Sequence, residues 1–304
     1  MSNAYLRFWG VRGSYSAPFE THLGVGGNTS CVEIRVDDHV IVCDAGTGII
    51  PFGNTMLQQS KVREMLIILT HYHWDHICGL PFFVPAFLPD WNITFFGPGQ
   101  TRRDIEEHVS AQMRAPYFPV GTETWLANVK YMDPPEDGTV NYGPISFSYQ
   151  SVHHPGTTYG YRFNINGKQV LYISDNECLF LDKSIRQRYR DFSKEEQELL
   201  TKMQREEYAS ELDLIKGADI LIHDAQYTLD DYKKKRGWGH SFYIDTINTA
   251  IDAQVKELYL FHHDPNYDDA AIDKIYDHAK QIIKERNSSL VCKLAREGIT
   301  IDLS

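Results

Sequence analysis

The stretch of sequence that decides the fold is Met65-Leu66-Ile67-Ile68-Leu69-Thr70-His71-Tyr72-His73-Trp74-Asp75-His76. Its apolar start is typical of a buried β-strand, which we expect over residues 65–69. Alternate side chains of an extended chain point to the same side, so His71 and His73 can converge on one ion. Asp75 and His76 follow where the backbone turns, and they can face a second ion beside the first. Imidazole and carboxylate groups are suitable ligands for zinc, manganese or iron.

The same cluster could instead be a solvated, histidine-rich surface loop. A lone histidine is more often structural than a metal ligand. Here three histidines and one aspartate lie within residues 71–76, directly after an apolar strand. We therefore interpret the cluster as a metal site.

The spacing His-x-His-x-Asp-His resembles the motif of the metallo-β-lactamase superfamily, and Leu69-Thr70-His71 is similar to its usual lead-in. The resemblance covers residues 5–265, nearly the whole chain. It implies an α/β fold, a four-layer αββα sandwich, in a single domain over residues 1–304. It also implies a hydrolase with two divalent metal ions, zinc being favoured and manganese or iron being the alternatives.

A third histidine for the first metal is also implied by the resemblance. In the phosphodiesterase branch of the superfamily, this ligand precedes a Gly-Tyr-Arg-like strand by six residues, and Gly160-Tyr161-Arg162 follows His154 at that spacing. His154 is therefore expected as the ligand. Its neighbour His153 is the alternative, with a supporting or structural role otherwise.

The remaining ligands are expected near later strand ends. Asp175 matches the aspartate that bridges both metals, and His262 matches the last histidine, with His263 as the less favoured choice. The resemblance thus implies two ligand sets, one for each metal. The first is His71, His73, His154 and Asp175; the second is Asp75, His76, Asp175 and His262.

Two further motifs indicate the branch of the superfamily. The redox branch resembles His-x-Glu-x-Asp, so His73 argues against it. The segments 221–225 and 238–241 resemble the phosphodiesterase branch, which contains tRNase Z and cyclic phosphodiesterases. There an acidic residue, here Asp224, orients a histidine, here His240, that contacts the phosphate and protonates the leaving oxygen. Since the basic residues 233–236 lie nearby, His240 could instead be an exposed loop histidine.

The resulting prediction is a metal-dependent phosphodiesterase that hydrolyses a small phosphodiester, for example a cyclic nucleotide. A hydroxide bridging the metals would be the nucleophile, and His240 would be the general acid. Asp75 and Asp224 are the other candidate catalytic residues. The alternatives are a thioester or lactone hydrolase, which needs no acid histidine, and a non-enzymatic sensor on the same fold. Complete ligand sets argue against the sensor.

Smaller motifs have less specific interpretations. Residues 7–14 and 26–31 resemble a bacterial subgroup of the phosphodiesterase branch. Asn28, Thr29 and Ser30 could form hydrogen bonds near the metals, although such residues more often cap turns. Asp44 is expected to orient the ligand histidines rather than to bind a metal itself.

The charge balance bears on the partners. With 30 basic and 41 acidic residues, the formal net charge is −11, which repels a nucleic-acid backbone at long range. We therefore expect a small phosphodiester substrate and no large nucleic-acid partner.

Five cysteines without a Cys-x-x-Cys pair suggest reduced thiols in a cytoplasmic protein. No signal peptide or membrane segment is expected, and a homodimer is compatible with the superfamily resemblance.

Patterning along the chain predicts the order of elements. A hairpin is expected over residues 31–43, and helices are expected over residues 77–88, 102–113, 193–215, 244–253 and 269–285. Predicted strands precede helices in each half, which suits a sheet sandwich with helices outside. The charged segment 181–216 is interpreted as a helical insertion, forming a lid or a dimer contact, whose helix opens with Ser193 and Glu196 in capping-box spacing.

Overall fold

The computed structural model describes residues 3–181 and 192–304. Its strands form two mixed sheets, and its α-helices connect or flank them. The strands are β1 (Ala4–Gly10), β2 (Cys31–Val36), β3 (His39–Cys43), β4 (Glu64–Ile68), β5 (Asn92–Phe96), β6 (Asn128–Tyr131), β7 (Thr139–Tyr142), β8 (Ile145–Ser151), β9 (Tyr159–Ile165), β10 (Lys168–Ile173), β11 (Ile220–Asp224), β12 (Glu257–Phe261), β13 (Val291–Leu294) and β14 (Thr300–Asp302). The helices are α1 (Ile49–Gln59), α2 (Trp74–Ile77), α3 (Arg102–Ala111), α4 (Lys194–Ile215), α5 (Leu229–Lys235), α6 (Tyr243–Asp252) and α7 (Asp269–Glu285).

The first sheet has the strand order β14–β1–β2–β3–β4–β5–β6. Neighbouring strands are antiparallel from β14 to β3 and parallel from β3 to β6. Its central strands are buried on both faces, which explains their nearly continuous apolar runs. Along β4, Leu66 and Ile68 belong to the core between the sheets, whereas Met65 and Ile67 pack with side chains of α1 and α3.

The second sheet has the order β13–β12–β11–β10–β9–β8–β7. Neighbouring strands are antiparallel from β7 to β10 and parallel from β10 to β13. Apolar side chains such as Phe163 pack against those of the first sheet, and each fully buried one contributes about 1.5–3 kcal/mol relative to exposure. Helices α6 and α7 contact the parallel strands of this sheet. The predicted α/β sandwich of two sheets with helices outside is therefore confirmed.

The parallel strands of both sheets end at one edge of the sandwich. Asp44 follows β3 and Thr70 follows β4, while Asp175 and His262 follow β10 and β12 in the other sheet. A hydrogen bond of 2.8 Å from Tyr172 Oη to Asp44 Oδ2 connects the two sheets at this edge. Polar side chains from distant parts of the sequence consequently meet there.

Local sequence signals explain most element boundaries. The hairpin β2–β3 and the bounds of α7 agree with the prediction, and Ser193 and Glu196 form the predicted capping box of α4. The predicted helix over residues 77–88 is wrong: α2 ends at Ile77, and two 3-10 turns follow. Pro81 and Pro85 account for this, because each lacks an N–H and restricts the residue before it.

The segment predicted as an insertion contains the connection between two parallel strands. Helix α4 links β10 to β11, and residues 182–191 of the segment lie outside the described residues. Glu207 and Glu211 on α4 accept hydrogen bonds from the N–H groups of Leu181 and Leu179. Among the described helices, none combines the length and hydropathy that a membrane crossing requires.

Candidate metal centre

The histidine motif lies where the chain leaves β4 and enters α2. Backbone at His73 is extended (φ −66°, ψ 154°), and α2 begins at the next residue. The rings of His71 and His73 approach each other, with centroids 4.4 Å apart. The first turn of α2 presents Asp75 and His76, both buried. The change from extended to helical backbone thus divides the motif into two pairs.

Three imidazoles form what we call the first ligand group: His71, His73 and His154. His154 Nε2 lies 3.0 Å from His73 Nδ1, and the His71 and His154 ring centroids are 4.7 Å apart. His154 Nδ1 donates a hydrogen bond to the Gly239 carbonyl at 2.7 Å. This contact fixes the tautomer and leaves Nε2 available as a ligand.

The second ligand group consists of Asp75, His76, Asp175 and His262. All four side chains are buried. His262 Nε2 lies 3.2 Å from Asp75 Oδ2, and His76 Nε2 lies 3.3 Å from the same oxygen. Two carboxylates and two imidazoles therefore surround one point.

Asp175 lies between the two groups. Its Oδ1 is 3.0 Å from His76 Nε2 and 3.3 Å from His262 Nε2. Its Oδ2 faces the first group, at 3.7 Å from His71 Nε2 and 3.8 Å from His154 Nε2. One carboxylate thus directs one oxygen toward each group.

Several atoms of the two groups, although close to one another, form no hydrogen bond of acceptable geometry among the described residues. His71 Nε2, His76 Nε2 and Asp175 Oδ1 are buried without a hydrogen bond. Buried polar atoms are normally satisfied, so three unsatisfied ligand atoms at one place indicate a site that is built for a cation. The donor set, imidazoles with carboxylates, fits divalent zinc, manganese or iron.

The electrostatics of the site also favour positive charge. Burial alone would raise the pKa of Asp175, but the neighbouring His262, His76 and His71 hold it well below its usual value. Burial alone would lower the pKa of His76, but the carboxylates of Asp175, Asp75 and Asp44 raise it well above its usual value. Burial lowers the pKa of His154 to about 4, which keeps that ring neutral and able to bind a metal.

Asp44 holds the histidine motif through hydrogen bonds. Its Oδ2 accepts a hydrogen bond from His76 Nδ1 at 2.8 Å and one from Tyr172 Oη at 2.8 Å. Its Oδ1 accepts the backbone N–H of Thr70 at 2.8 Å. The Thr70 hydroxyl contacts both Asp44 and His71 Nδ1. Asp44 is placed to orient ligand histidines, and its own carboxylate is occupied by these donors.

The loop after β1 closes the second ligand group. The backbone N–H of Ser14 donates to Asp75 Oδ2 at 2.7 Å, and Gln226 Oε1 lies 3.0 Å from His262 Nδ1. A Cβ on Gly13 would lie 2.4 Å from ring atoms of His262, so only glycine fits this approach. Gly13, Ser14 and Gln226 were not identified as supporting residues from the sequence, because their partners are distant in the chain.

His240 and Asp224 lie beside both groups. His240 Nδ1 is 2.8 Å from Asp224 Oδ2, which is fully buried. The His240 ring stacks on His262 with centroids 5.0 Å apart, and its centroid is 5.1 Å from that of His154. His240 is buried in the site and is not an exposed loop histidine.

Glu177 is a supporting residue that sequence reasoning missed. This fully buried carboxylate accepts hydrogen bonds from Tyr232 Oη at 2.5 Å, from Gly237 N at 3.0 Å and from Gly239 N at 3.1 Å. The same Gly239 offers its carbonyl to His154. Glu177 thereby anchors the loop that carries His240. Its position two residues after Asp175 was the only available signal in the sequence.

Other candidate residues lie away from the centre. The His153 ring stacks on Phe180, with centroids 3.7 Å apart, and is not part of either group. His263 Nε2 bonds to the Ala295 carbonyl at 3.0 Å. Asn28 Nδ2 bonds to Glu297 at 3.0 Å, so that side chain is engaged in a loop contact.

A large cleft opens beside the first ligand group. It has a volume of about 1060 Å³, and we call it the aromatic groove. Its lining includes Trp74, Phe82, Gln112, Tyr117 and Phe118, together with the ligand histidines His71 and His73.

Comparison with known proteins identifies the family of the chain. The protein family described as the β-lactamase superfamily domain matches the sequence over residues 39–193, about half of the chain. The chain belongs to this superfamily. Ribonuclease Z of Thermoplasma volcanium is 26% identical over 95% of this chain and 95% of that protein. Ribonuclease Z of Picrophilus torridus is 23% identical over 87% of this chain and 91% of its own. The solved structure of the metallo-β-lactamase fold protein YhfI from Bacillus subtilis superposes with a TM-score of 0.67 at 18% identity, covering 99% of this chain and 100% of that one.

These superfamily relatives correct one prediction. We expected no large nucleic-acid partner from the net charge, and the similarity to Ribonuclease Z over most of the chain shows that this expectation is wrong. Net charge describes the surface as a whole and sets long-range attraction. It places no limit on what a local site within a superfamily member contacts.

Proposed function

We propose that this superfamily member is a metal-dependent phosphodiesterase that uses two divalent cations. His71, His73, His154 and Asp175 would hold one cation, and Asp75, His76, Asp175 and His262 would hold the other. Zinc is the favoured metal, with manganese or iron as alternatives, because imidazole and carboxylate serve all three. The bound cations would make a water more acidic and stabilise negative charge on a phosphoryl oxygen.

The observation that carries this proposal is the His240–Asp224 pair beside the ligand groups. Phosphodiester cleavage with a poor alkoxide leaving group needs a proton donor. Asp224 engages His240 Nδ1 at 2.8 Å, so Nε2 is the ring nitrogen that remains for a substrate oxygen. Asp224 would stabilise the positive charge of a protonated His240, which would donate its Nε2 proton to the leaving oxygen and become neutral. The Asp75 carboxylate, whose Oδ2 lies 3.2 Å from His262 Nε2, would help to remove the proton of an attacking water.

Ribonucleic acid is the first substrate class to test, because both similar curated proteins are named Ribonuclease Z. A small phosphodiester, such as a cyclic nucleotide, is the second. The observation that favours it is the aromatic groove, which could enclose much of a mononucleotide beside the metal ligands.

The test compares two leaving groups in wild-type protein and in His240→Ala. Cleavage of an RNA phosphodiester expels a ribose alkoxide and needs the acid. Cleavage of bis(p-nitrophenyl) phosphate expels a stabilised phenolate and does not. We expect the substitution to reduce RNA cleavage by roughly 100-fold or more and to reduce aryl ester cleavage much less. Equal losses on both substrates would contradict the role of His240. Thioester or lactone hydrolysis without phosphodiester cleavage would instead support the other hydrolase reading.

A further inference from the structure

We propose that the aromatic groove binds the nucleobase next to the scissile phosphate, with Trp74 as the stacking surface. This rests on the proposed phosphodiesterase function and adds to it the substrate feature that is recognised. Trp74 stands between the ligands His73 and Asp75 in the chain, and it lines the groove. A group that stacks on Trp74 is therefore adjacent to whatever phosphate the ligand groups engage.

Aromatic rings of the groove face solvent. Among the described residues, Trp74 and Tyr117 have no ring contact, and Phe82 meets the ring of Phe118 edge to face, with centroids 5.5 Å apart. Trp74 is 74% exposed, Tyr117 is 78% exposed and Phe82 is 56% exposed. Isolated exposed apolar side chains are normal, but a cluster of large ones in an open cleft is typical of a binding site. Stacking on such rings is tolerant of base identity, because every base has a π-face.

The charge of the groove selects a neutral, flat ligand. No lysine or arginine occurs among the described residues that line it. Its one aspartate, Asp104, already accepts the N–H groups of Gln100 and Thr101 at the start of α3. Away from the ligand histidines, a run of phosphates would find no lysine or arginine there, whereas an uncharged base would lose no ion pair on entering.

A hydrogen-bond donor in the groove wall lacks a partner. Gln112 Nε2 is buried without a hydrogen bond among the described residues, and Gln112 lines the groove. A buried donor without an acceptor is costly, and an acceptor atom of a base would satisfy this one once the Gln112 side chain turns toward the groove. Every base offers a stacking face together with acceptor atoms, which are carbonyl oxygens in guanine and the pyrimidines and ring nitrogens in adenine, whereas an alkyl chain offers neither.

The experiment uses two p-nitrophenyl phosphodiesters with the same leaving group. Thymidine 5′-(p-nitrophenyl) phosphate carries a base, and methyl p-nitrophenyl phosphate carries none. The measured quantity is the ratio of kcat/KM for the first ester to that for the second, in metal-loaded protein. We expect Trp74→Ala to lower this ratio by roughly 5- to 100-fold, and Trp74→Phe to restore most of it. Tyr117→Ala should lower it in the same direction, and this variant is remote from the ligands in sequence.

Phe19→Ala is the matched control, because Phe19 is 54% exposed and does not line the groove. Its ratio should equal that of the wild type. Calorimetric binding of thymidine 5′-monophosphate to the same variants tests the groove without turnover, and the groove variants should bind it more weakly. If no phosphodiester is hydrolysed but these binding differences appear, the proposed function fails and the groove proposal holds. An unchanged ratio and unchanged binding in Trp74→Ala and Tyr117→Ala would overturn the groove proposal alone.

Discussion

The two sheets share one plan and contribute to the site in different ways. Each has three antiparallel pairs followed by three parallel pairs, and in each a helix connects the first two parallel strands. The first sheet supplies four site residues from one short segment after β4, residues 71–76. The second supplies His154, Asp175, Asp224 and His262 from four separate strand ends.

The clearest contrast is between Asp44 and Asp175, which follow the equivalent strands β3 and β10. They contact opposite nitrogens of one ring: Asp44 Oδ2 is 2.8 Å from His76 Nδ1, and Asp175 Oδ1 is 3.0 Å from His76 Nε2. The same position in the plan therefore orients a ligand in one sheet and faces the candidate cations in the other. What a strand-end carboxylate does depends on which other donors already occupy it.

The largest expected effect is the loss of metal and activity when the strand-end carboxylate of the second sheet is removed. Asp175→Ala removes a carboxylate whose two oxygens face the two ligand groups. Metal content should fall at both positions, and phosphodiesterase activity should fall by more than the roughly 10- to 100-fold typical of residues that only support a ligand. Elemental analysis together with an aryl phosphodiester assay measures both quantities. Retention of two metals per chain would show that Asp175 does not connect the groups.

The next largest effect is expected when the corresponding carboxylate of the first sheet, Asp44, is changed. Asp44→Asn keeps the shape of the side chain but sets an amide against His76 Nδ1. We expect a roughly 10- to 100-fold loss of metal affinity or activity, without the complete loss expected for Asp175→Ala. Metal titration followed by activity provides the comparison. Losses as large as those of the Asp175 variant would place Asp44 among the metal ligands.

A smaller effect is expected at Glu177, which supports the second sheet's loop. Glu177→Gln replaces one accepting oxygen with a donor that faces the N–H groups of Gly237 or Gly239. Leaving such groups unsatisfied costs about 1–3 kcal/mol of stability. Thermal unfolding should show this decrease, and kcat should fall because His240 is carried by the same loop. A lower melting temperature with unchanged kcat would mean that the loop supports the fold but not the acid.

The smallest effect separates adjacent histidines. His153→Ala removes a ring stacked on Phe180 outside both groups, and we expect less than about a twofold change in activity, as for most surface substitutions. His154→Ala is the matched variant and should lose metal from the first group. A loss of metal in His153→Ala as large as that in His154→Ala would mean that the first ligand group also depends on His153.

The site could be predicted from the sequence to the extent that its parts are compact. Residues 71–76 are recognisable because a strand and a turn place ligands at fixed spacing. The strand-end positions of Asp175 and His262 depended on resemblance, since spacing alone does not say which strands are neighbours. Gly13 and Glu177 escaped notice because their roles consist of contacts across the fold.

Fold prediction shows the same division. Apolar alternation predicts the hairpin β2–β3, and a strong amphipathic pattern predicts α7, since these signals are local. Helix α1 was missed because Pro51 and Gly53 obscure its pattern, although proline is tolerated in a first helical turn. The partner expectation went wrong for a related reason, as an average charge contains no information about position.

The position of Asp175 between imidazoles of both sheets has a consequence for how the molecule holds together. Neither sheet alone carries a full ligand set, so cation uptake and docking of the two halves are linked equilibria. A ligand that binds only the folded chain adds about 2.7 kcal/mol at a concentration 100 times its dissociation constant. The cations would then cross-link the two sheets. A chelator would lower the free energy of unfolding of the whole sandwich and would also remove the activity of the site.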